Sequence, residues 1–343
     1  MGDKKIKVLV IEDSGLMRIL ISDILRSDKN IEVVATATNG KVGVEKVLLL
    51  KPDVVITDMV MPDFDGLYVV KTLMKENPVP IILLSSLDRA NPQIFDGLKE
   101  GAIDFVDKPK DGNNAEVADR LKVLISQAVQ TRGPIPRVDF LKKNSNHHTF
   151  DELNFDIIGI GASTGGPGAI EYLINNLPNN LSIPVVIAQH MPDRFIHTFS
   201  ERLKNSTGFK IKVAEENEHL KGGIIYLLPG TSNMGIQCEG NNDQSKFTVV
   251  DIKYPDYNAP SVTCLFESLA TCFGKRSISV LLTGMGKDGA EGLLKVRKMG
   301  GITIAQDQES SVVFGMPKAA IDLNAASHVM PLKHIPGFIV SCL

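Results

Sequence analysis

Charged and hydroxyl side chains close successive apolar runs in the first third of the chain. Glu12 and Asp13 directly follow one run, and Asp58 follows a second. Ser85 follows a third run, and Lys108 follows a fourth. Carboxylates gathered in one place repel one another unless a cation is bound, and Mg²⁺ prefers such hard oxygen ligands. Once Mg²⁺ and Lys108 neutralise a dianionic group, Asp58 could act as a nucleophile that accepts a phosphoryl group, and Ser85 could donate a hydrogen bond to it.

A serine lies within a run of small residues in the second half of the chain. The apolar run Ile157–Ile160 leads into Gly161-Ala162-Ser163-Thr164-Gly165, which fits the pattern Gly-x-Ser-x-Gly. Small neighbours allow a tight turn from strand to helix that presents the serine hydroxyl. A dinucleotide fingerprint would need glycine at Thr164, and a phosphate-binding loop would need lysine at Pro167. The pattern favours Ser163 as a nucleophile, with a nucleotide-binding module as the alternative.

A serine hydroxyl needs a base to remove its proton, and histidine is the usual base. Among the seven histidines, His190 alone follows an apolar strand and precedes a helix start. Asp288 lies in a glycine-rich loop after another strand, where it could orient the imidazole or cap the following helix. The Met285 N–H and an N–H near Thr164 could stabilise an oxyanion. The chain order serine, histidine, aspartate differs from that of α/β-hydrolases and argues against that fold.

These side chains must be positioned by the elements around them. In each half of the chain, short β-branched runs alternate with segments whose apolar residues have helical spacing. They predict an α/β protein with two doubly wound parallel-sheet domains, and an antiparallel excursion near residues 224–251. In a parallel sheet, functional residues gather at the carboxyl ends of the strands. A segment rich in glycine, proline and polar residues follows the first alternation and is typical of a linker. The predicted strands are Lys5–Ile11, Ile31–Ala37, Asp53–Thr57, Pro80–Leu84 and Ala102–Val106 in the first half, and Phe155–Gly161, Pro184–Gln189, Lys210–Ala214, Ile224–Leu228, Ser277–Leu282 and Gly301–Ala305 in the second.

Composition narrows the classes of function. Lys and Arg number 37 against 40 Asp and Glu, a formal net charge of −3, so no global basic field draws the chain to nucleic acid. The four cysteines form no Cys-x-x-Cys pair, so we expect a reducing compartment and neither a zinc site nor a disulfide framework. No apolar run is long enough for a signal peptide or a membrane span. These features predict a cytoplasmic protein without membrane insertion.

The segment from Asp58 to Gly66, which reads Asp-Met-Val-Met-Pro-Asp-Phe-Asp-Gly, resembles the phosphoacceptor signature of response-regulator receiver domains. The resemblance covers about residues 1–125 and implies a flavodoxin-like receiver domain in which a histidine kinase phosphorylates Asp58. It further implies that Asp13, Asp58 and the Val60 carbonyl bind Mg²⁺, with Glu12 acting through water. The segment therefore assigns a phosphoacceptor and a metal site to the first domain.

The same resemblance implies a conformational switch. Ser85 and Phe105 would be the switch pair, because a new dianion on the phosphoacceptor draws Ser85 and Lys108 inward and the nearby aromatic ring repacks. The Lys108–Pro109 bond is frequently cis in receiver domains. Receiver and second domain are joined by a linker, so phosphorylation could release a site that the unphosphorylated receiver covers.

Taken with the receiver, the second half resembles the chemotaxis response-regulator protein-glutamate methylesterases. The matching motifs are Gly161-Ala162-Ser163-Thr164-Gly165-Gly166-Pro167, Gln189-His190-Met191-Pro192, Thr283-Gly284-Met285-Gly286-Lys287-Asp288-Gly289-Ala290 and Val313-Phe314-Gly315-Met316-Pro317. The resemblance implies a Rossmann-like three-layer α/β/α catalytic domain over residues 153–343, after a linker at 126–152. It implies Ser163, His190 and Asp288 as the catalytic triad, with the Met285 and Thr164 N–H groups at the oxyanion.

The resemblance also implies a substrate and a phosphodonor. The substrate would be the γ-glutamyl methyl ester of methyl-accepting chemotaxis receptors, with methanol as the product, and receptor glutamines would often be deamidated. A chemotaxis histidine kinase would supply the phosphoryl group. Mg²⁺ would serve phosphorylation, and no cofactor would be needed for ester hydrolysis. A receiver coupled to a DNA-binding output is the other alternative, which the near-neutral charge disfavours.

Two positions depart from the pattern of that family. The family commonly has a histidine where this chain has Asn233, and a more basic stretch where it has residues 254–261. We expect neither departure to touch the triad. Because flanking groups position the ester, the departures bear on receptor recognition, substrate preference and rate.

Overall fold

The computed structural model describes residues 5–86, 92–109, 114–130, 155–239, 244–252, 254 and 259–343. The chain divides into two compact units, Met1–Arg137 and Val138–Leu343. Most of the predicted linker lies outside the described residues, and so do His147 and His148. No helix among the described residues is long and apolar enough to cross a membrane.

The first unit alternates five strands with five helices. Its five parallel strands lie in the order β2-β1-β3-β4-β5, which is the flavodoxin-like order. The elements are β1 (Ile6–Ile11), α1 (Gly15–Arg26), β2 (Ile31–Ala37), α2 (Gly40–Leu50), β3 (Val54–Asp58), α3 (Gly66–Glu76), β4 (Ile81–Ser85), α4 (Gln93–Lys99), β5 (Asp104–Asp107) and α5 (Asn114–Gln130).

Local chemistry fixes where the helices of this unit begin. The side chains of Ser14, Asn39 and Asp65 each accept a hydrogen bond from a backbone N–H in the first turn of α1, α2 and α3. Strands β3 and β4 are buried along their whole length, as expected for the middle of a parallel sheet. Their carboxyl ends therefore open at the same edge as that of β1.

The second unit contains a seven-stranded parallel sheet in the order β14-β13-β12-β6-β7-β9-β8 and a separate antiparallel hairpin, β10-β11. The parallel prediction is confirmed. Within the predicted excursion at 224–251, the first strand, β9, is parallel to its neighbours, and the antiparallel pair is β10 with β11. The elements are β6 (Ile157–Ala162), α6 (Gly166–Asn175), β7 (Val185–Gln189), α7 (Asp193–Ser206), β8 (Lys210–Val213), β9 (Ile224–Leu227), β10 (Met234–Glu239), β11 (Gln244–Val249), α8 (Val262–Cys272), β12 (Ser277–Leu281), α9 (Ala290–Lys298), β13 (Ile302–Gln306), α10 (Met316–Asp322), β14 (His328–Met330) and α11 (Ile335–Cys342).

Two glycines of β6 let helix α8 pack unusually close to the sheet. A Cβ at Gly159 would lie 2.3 Å from Leu269 Cδ1, and a Cβ at Gly161 would lie 2.1 Å from Val262 Cγ1. Both separations are shorter than real Cβ contacts, so a larger residue at either position would force Leu269 or Val262 to move. The glycines that suggested a dinucleotide fingerprint therefore serve the contact with α8, which brings the start of that helix to the carboxyl end of the sheet.

One pair of cysteines is bonded, although the sequence indicates no disulfide framework. Cys238 in β10 and Cys272 at the end of α8 form a disulfide, with their Cα atoms 5.6 Å apart. The sequence gives no signal for this pair, because the two residues are 34 positions apart and meet only when the hairpin packs on α8. Cys264 and Cys342 are free and buried.

Candidate functional site

Three carboxylates converge at the carboxyl edge of the first sheet. Glu12 and Asp13 follow β1 and Asp58 ends β3, and one ligand oxygen from each lies within 4.8 Å of the others. Glu12 and Asp58 are buried, whereas Asp13 is exposed. This donor set fits a hard divalent cation that keeps part of its water shell. The structure thus brings together the acids that the sequence assigns to Mg²⁺.

Lys108 forms ion pairs with both buried carboxylates of this cluster. Its Nζ lies 2.7 Å from Asp58 Oδ2 and 2.9 Å from Glu12 Oε2. Burial raises the pKa of Glu12 to about 7, against the opposing effect of Lys108. Burial likewise raises the pKa of Asp58. Burial lowers the pKa of Lys108, but its hydrogen bonds to Asp58 and Glu12 outweigh that effect and leave the pKa above its usual value. One ammonium thus faces three acids, an imbalance that a cation would relieve.

The other predicted residues of this domain lie beside Asp58 or on the next strands of the same sheet. The Val60 N–H donates to Asp58 Oδ1 at 3.2 Å. Ser85 and Phe105 are buried on the neighbouring strands β4 and β5. The expectation of a cis Lys108–Pro109 bond is wrong, since Ala259–Pro260 is the cis peptide bond found among the described residues. With its following bond trans, Lys108 already reaches both acids through Nζ and donates its N–H to the Ser85 carbonyl at 2.8 Å.

The second candidate site is built where three adjacent strands end. Strand β6 lies between β7 and β12, and Ser163 directly follows β6. The Ser163 N–H donates to the Thr283 carbonyl beyond β12 at 3.0 Å, and the His190 N–H beyond β7 donates to the Ala162 carbonyl at 3.1 Å. Gly165, with φ 76°, then turns the chain into α6. Ser163 therefore lies between the loop that carries His190 and the loop that carries Asp288.

His190 and Asp288 form a direct pair, although they are far apart in sequence. His190 Nε2 lies 2.8 Å from Asp288 Oδ2, and both side chains are largely buried. Since Nε2 faces the carboxylate, Nδ1 is the ring nitrogen left to accept a proton from a serine. The Ser163 hydroxyl forms no hydrogen bond with any residue that the structure describes. The histidine–aspartate contact is thus formed, and the serine–histidine contact is not.

Asp288 is held by the first residues of helix α8. Its Oδ2 accepts the Val262 N–H at 2.7 Å, and its Oδ1 accepts the Thr263 N–H at 2.9 Å and the Ser261 hydroxyl at 3.1 Å. Burial would raise the pKa of Asp288, but the hydrogen bond and charge of His190, together with hydrogen bonds from Thr263, bring the pKa below its ordinary range. The helix N-terminus also favours a negative charge. Asp288 is therefore a carboxylate beside the imidazole.

The expectation that neither departure from the family pattern touches the triad is wrong for the segment 254–261. Among the residues that the structure describes, Asn233 hydrogen-bonds with that segment but not with the triad itself. Ser261 belongs to the segment 254–261 and donates its hydroxyl to Asp288. Asn233 Oδ1 in turn accepts the Ser261 N–H at 2.9 Å. Residues 255–258 of that segment lie outside the described residues. A possible sequence signal was Ser261 as a helix N-cap before the helically spaced apolar residues Val262, Leu265, Phe266 and Leu269.

Gln189 also holds the turn Ser163–Gly166, which we call the nucleophile turn. The sequence analysis assigned no role to Gln189. Its Nε2 donates to the carbonyls of Ser163 and His190, at 3.0 Å each. The Gly166 N–H donates to the same Ser163 carbonyl at 2.8 Å. Because a peptide unit is planar, fixing the Ser163 carbonyl also fixes the direction of the Thr164 N–H. A Cβ at Gly166 would lie 2.0 Å from Gln189 Oε1, so a larger residue there would force the Gln189 amide to move.

The Met285 N–H donates no hydrogen bond to the residues that the structure describes. By contrast, the N–H of Gly284 donates to the Val313 carbonyl at 3.0 Å. The Gly284 carbonyl accepts the N–H groups of Gly315 and Met316 at 3.0 and 2.8 Å, which fixes the plane of the Gly284–Met285 peptide. A fixed and uncommitted N–H beside a serine can stabilise an oxyanion.

The fold and the site geometry define a two-domain α/β protein. One unit is a flavodoxin-like domain with an acidic cluster, and the other is a parallel α/β domain in which a histidine–aspartate pair lies beside the turn of a serine. The family model described as CheB methylesterase matches residues 158–339, and the model described as response regulator receiver domain matches residues 8–119.

Known relatives match this chain over nearly their full length. The chain is 39% identical to a protein-glutamate methylesterase/protein-glutamine glutaminase of Archaeoglobus fulgidus, over 98% of both chains. It is 36% identical to one of Thermotoga maritima, over 99% of both chains. The crystal structure of the Thermotoga maritima CheB methylesterase catalytic domain matches with a TM-score of 0.53 and 36% identity, over 56% of this chain and all of that one. The chain belongs to the protein-glutamate methylesterase/protein-glutamine glutaminase family.

Proposed function

We propose that the chain is a phosphorylation-activated serine hydrolase that demethylates glutamate γ-methyl esters on methyl-accepting chemotaxis receptors, releasing methanol, and deamidates receptor glutamines. The observation that carries the proposal is the His190–Asp288 pair beside the turn of Ser163. Family membership supports the substrate class. Such an enzyme would act in adaptation during chemotaxis, in the cytoplasm.

The residues divide the chemistry in a definite order. His190 takes the proton of Ser163 on Nδ1 as the serine oxygen attacks the ester carbonyl, while Asp288 stabilises the imidazolium through Nε2. The Met285 and Thr164 N–H groups bind the oxyanion. Methanol leaves with the proton from His190, and the Ser163 ester remains. Water, deprotonated by the same histidine, then releases the glutamate carboxylate, and a glutamine side chain would follow this path with ammonia leaving.

The first domain would control this chemistry through phosphorylation of Asp58. Asp13, Asp58 and the Val60 carbonyl would hold Mg²⁺, with Glu12 acting through water. The metal supplies charge neutralisation for phosphoryl transfer. Ser85 and Lys108 would move toward the new phosphoryl group and Phe105 would repack, which makes them the switch. A chemotaxis histidine kinase is the proposed phosphodonor, and ester hydrolysis needs no cofactor.

The domain boundaries are part of the proposal. We assign residues 1–125 to the receiver, 126–152 to the linker and 153–343 to the catalytic domain. The family-model matches support two domains at these places. Helix α5 continues past residue 125 to Gln130.

Methanol release from methylated chemoreceptor membranes tests the proposed function. The full chain, with Mg²⁺ and a small-molecule phosphodonor, should release methanol, and a folded Ser163→Ala variant should release none above background. Absence of release by the parent protein under conditions that phosphorylate Asp58 would overturn the proposal. Titration with nucleotides in a calorimeter then addresses the alternative binding module.

A further inference from the structure

Thr283 makes more hydrogen bonds around the nucleophile turn than its place in the loop requires. The residue is 1% exposed. Its N–H donates to Gln306 Oε1 at 2.8 Å, and its carbonyl accepts the Ser163 N–H at 3.0 Å. These two backbone bonds already fix the main chain of Thr283 between strands β6 and β13. The hydroxyl makes additional hydrogen bonds, which are not needed to hold the Thr283 main chain.

The hydroxyl reaches the nucleophile turn on one side. It donates to the Thr164 carbonyl at 2.9 Å, with the Val313 carbonyl at 3.2 Å as its other acceptor. Thr164 thereby has its carbonyl fixed by a buried side chain, while the Gln189 amide fixes the preceding peptide through Ser163. The Ser163–Thr164 peptide, which includes the Thr164 N–H, is held through the Ser163 carbonyl. The next peptide, Thr164–Gly165, is held through the Thr164 carbonyl.

The same hydroxyl also contacts Val313, which binds the loop that carries the Met285 N–H. Its oxygen accepts the Val313 N–H at 2.9 Å. The Val313 carbonyl accepts the Gly284 N–H at 3.0 Å, so Val313 is bound to the loop at both of its polar groups. The space between the two sides is tight, because a Cβ at Gly284 would lie 2.8 Å from Ser163 Cβ. One buried oxygen therefore connects the two stretches of chain that carry the oxyanion donors.

We propose that Thr283 is a positioning residue of the oxyanion hole, whose hydroxyl sets the separation between the Thr164 and Met285 N–H groups. The proposal rests on the function proposed above for Ser163. Thr283 does not touch the ester. It acts by holding two donors at the spacing that a tetrahedral oxyanion requires, and such preorganisation acts on the transition state more than on substrate binding.

Three variants of the full chain separate this role from a general packing role. Thr283→Val keeps the shape and both backbone bonds but loses the hydroxyl, and Thr283→Ser restores the hydroxyl. The matched control is Thr303→Val in β13, because Thr303 is also fully buried and its Oγ1 also accepts a backbone N–H, from Ser327 at 2.8 Å. Among the described residues, the Thr303 hydroxyl bonds with Ser327 and forms no hydrogen bond with Thr164 or Met285.

Two readouts are measured on each variant. The first is steady-state hydrolysis of methylated receptor membranes with Mg²⁺ and phosphodonor. The second is labelling of Ser163 by an alkyl fluorophosphonate, in which the serine oxygen bonds to phosphorus, fluoride leaves and the proton passes to His190. The phosphoryl oxygen of this probe occupies the place of the oxyanion. Its end-point stoichiometry counts competent sites, whereas its rate reports the oxyanion donors.

Thr283→Val should lower kcat and the labelling rate about 10- to 100-fold, below the effect of deleting a whole donor, with KM and final stoichiometry nearly unchanged. Thr283→Ser should recover most of both rates, and Thr303→Val should match the parent protein. The proposal is overturned if Thr283→Val stays within about twofold of Thr303→Val, or if Thr283→Ser loses as much as Thr283→Val. It is also overturned if the fluorophosphonate leaves Ser163 of the parent unlabelled.

Failure of the proposed substrate gives a different result. The parent would then release no methanol, yet the fluorophosphonate would label Ser163 at a rate that depends on the Thr283 hydroxyl. That outcome removes receptor esters as the substrate and keeps the positioning role.

Discussion

Asp288 is a buried charge whose position depends on several donors at once. The Ser261 hydroxyl is one of four donors to Oδ1 and Oδ2 besides His190, and the other three are backbone N–H groups of Val262, Thr263 and Gly289. Backbone donors remain when a side chain is removed. The orientation of the carboxylate should therefore be robust to the loss of Ser261 alone, but not to the loss of its own charge.

Ser261→Ala should lower kcat/KM for receptor demethylation only about tenfold, because hydrogen bonds to charged groups contribute about 1.5–3 kcal/mol and three donors remain. Asp288→Asn should lower it about 10⁴-fold, because the amide cannot stabilise the imidazolium. Methanol release by the full chain measures both. Ser268→Ala is the control, since its hydroxyl lies on α8 and donates to Leu265 instead. Equal losses in Ser261→Ala and Asp288→Asn would contradict this account.

Glu12 makes the stability of the first unit depend on pH when no metal is bound. Burial raises its pKa to about 7 from an ordinary value of 4.5, so the folded state binds more protons than the unfolded state between these values. The free energy of unfolding is thus highest below about pH 4.5 with respect to this group, and this contribution is lost as pH rises toward 7 and above. The loss is on the order of 3 kcal/mol at most.

The pH effect can be measured on the full chain in chelator. We expect the free energy of unfolding of the first unit to fall between pH 5 and pH 8, and Glu12→Gln to flatten that fall. The protein is first equilibrated in urea at each pH, and its amides are then labelled by hydrogen exchange at one fixed pH. Peptides from β1 give the free energy of unfolding of this unit alone. A parent and a Glu12→Gln variant with the same pH dependence would show that Glu12 does not cause it.

At the scale of elements, helix α8 holds one of the residues proposed for catalysis. The helix approaches β6 over two glycines, and its N-terminus holds Asp288. Gly161→Ala places a methyl group 2.1 Å from Val262 Cγ1, so the Val262 side chain or the start of α8 must shift. We expect destabilisation of about 1–3 kcal/mol, typical of overpacking, together with loss of most esterase activity.

A matched glycine provides the control for this prediction. Gly168 lies in α6, and a Cβ built there meets nothing within 4 Å. Gly168→Ala should therefore preserve activity and raise stability by about 0.5–1 kcal/mol, because alanine is the better helix former. Thermal unfolding and methanol release, measured side by side, compare the two variants. Full activity in Gly161→Ala would show that the close packing of α8 is not needed for the site.

Elements with strong local patterns could be predicted from the sequence, and those defined by tertiary contact could not. The runs of apolar residues located β1, β3, β6, β7 and β12, and hence the edges where Asp58, Ser163 and Asp288 lie. Helix α8 was missed as a support for Asp288, because its role depends on docking over Gly159 and Gly161 rather than on its own pattern. The three-residue strand β14 is too short to give a periodic signal.

Side-chain partners show the same division. The pairing of His190 with Asp288 followed from placing both at carboxyl ends of strands in one sheet. The roles of Gln189 and Thr283 did not follow, because each acts by binding backbone carbonyls and no residue pattern encodes that contact. The disulfide between Cys238 and Cys272 was missed for a related reason, since it joins a hairpin to a helix that are distant in sequence.

At the scale of the whole chain, two sites with different chemistry are joined in one polypeptide. The first has the acids and lysine that we propose for phosphoryl transfer, and the second has the serine, histidine and aspartate that we propose for ester hydrolysis. A coupling between distant sites is a free energy, commonly 1–3 kcal/mol, which corresponds to about 5- to 150-fold in rate or affinity. The effect of phosphorylation on hydrolysis should fall in this range.

The coupling predicts that Mg²⁺ and a small-molecule phosphodonor raise the rate of methanol release at least about fivefold. Asp58→Asn should abolish this stimulation and keep the basal rate, because the amide cannot accept the phosphoryl group while Ser163, His190 and Asp288 are untouched. Asp63→Asn, an exposed position in the same segment, should be stimulated like the parent. Equal rates with and without phosphodonor in the parent would remove the coupling and leave the esterase chemistry standing, since the residues proposed for hydrolysis all lie in the second unit.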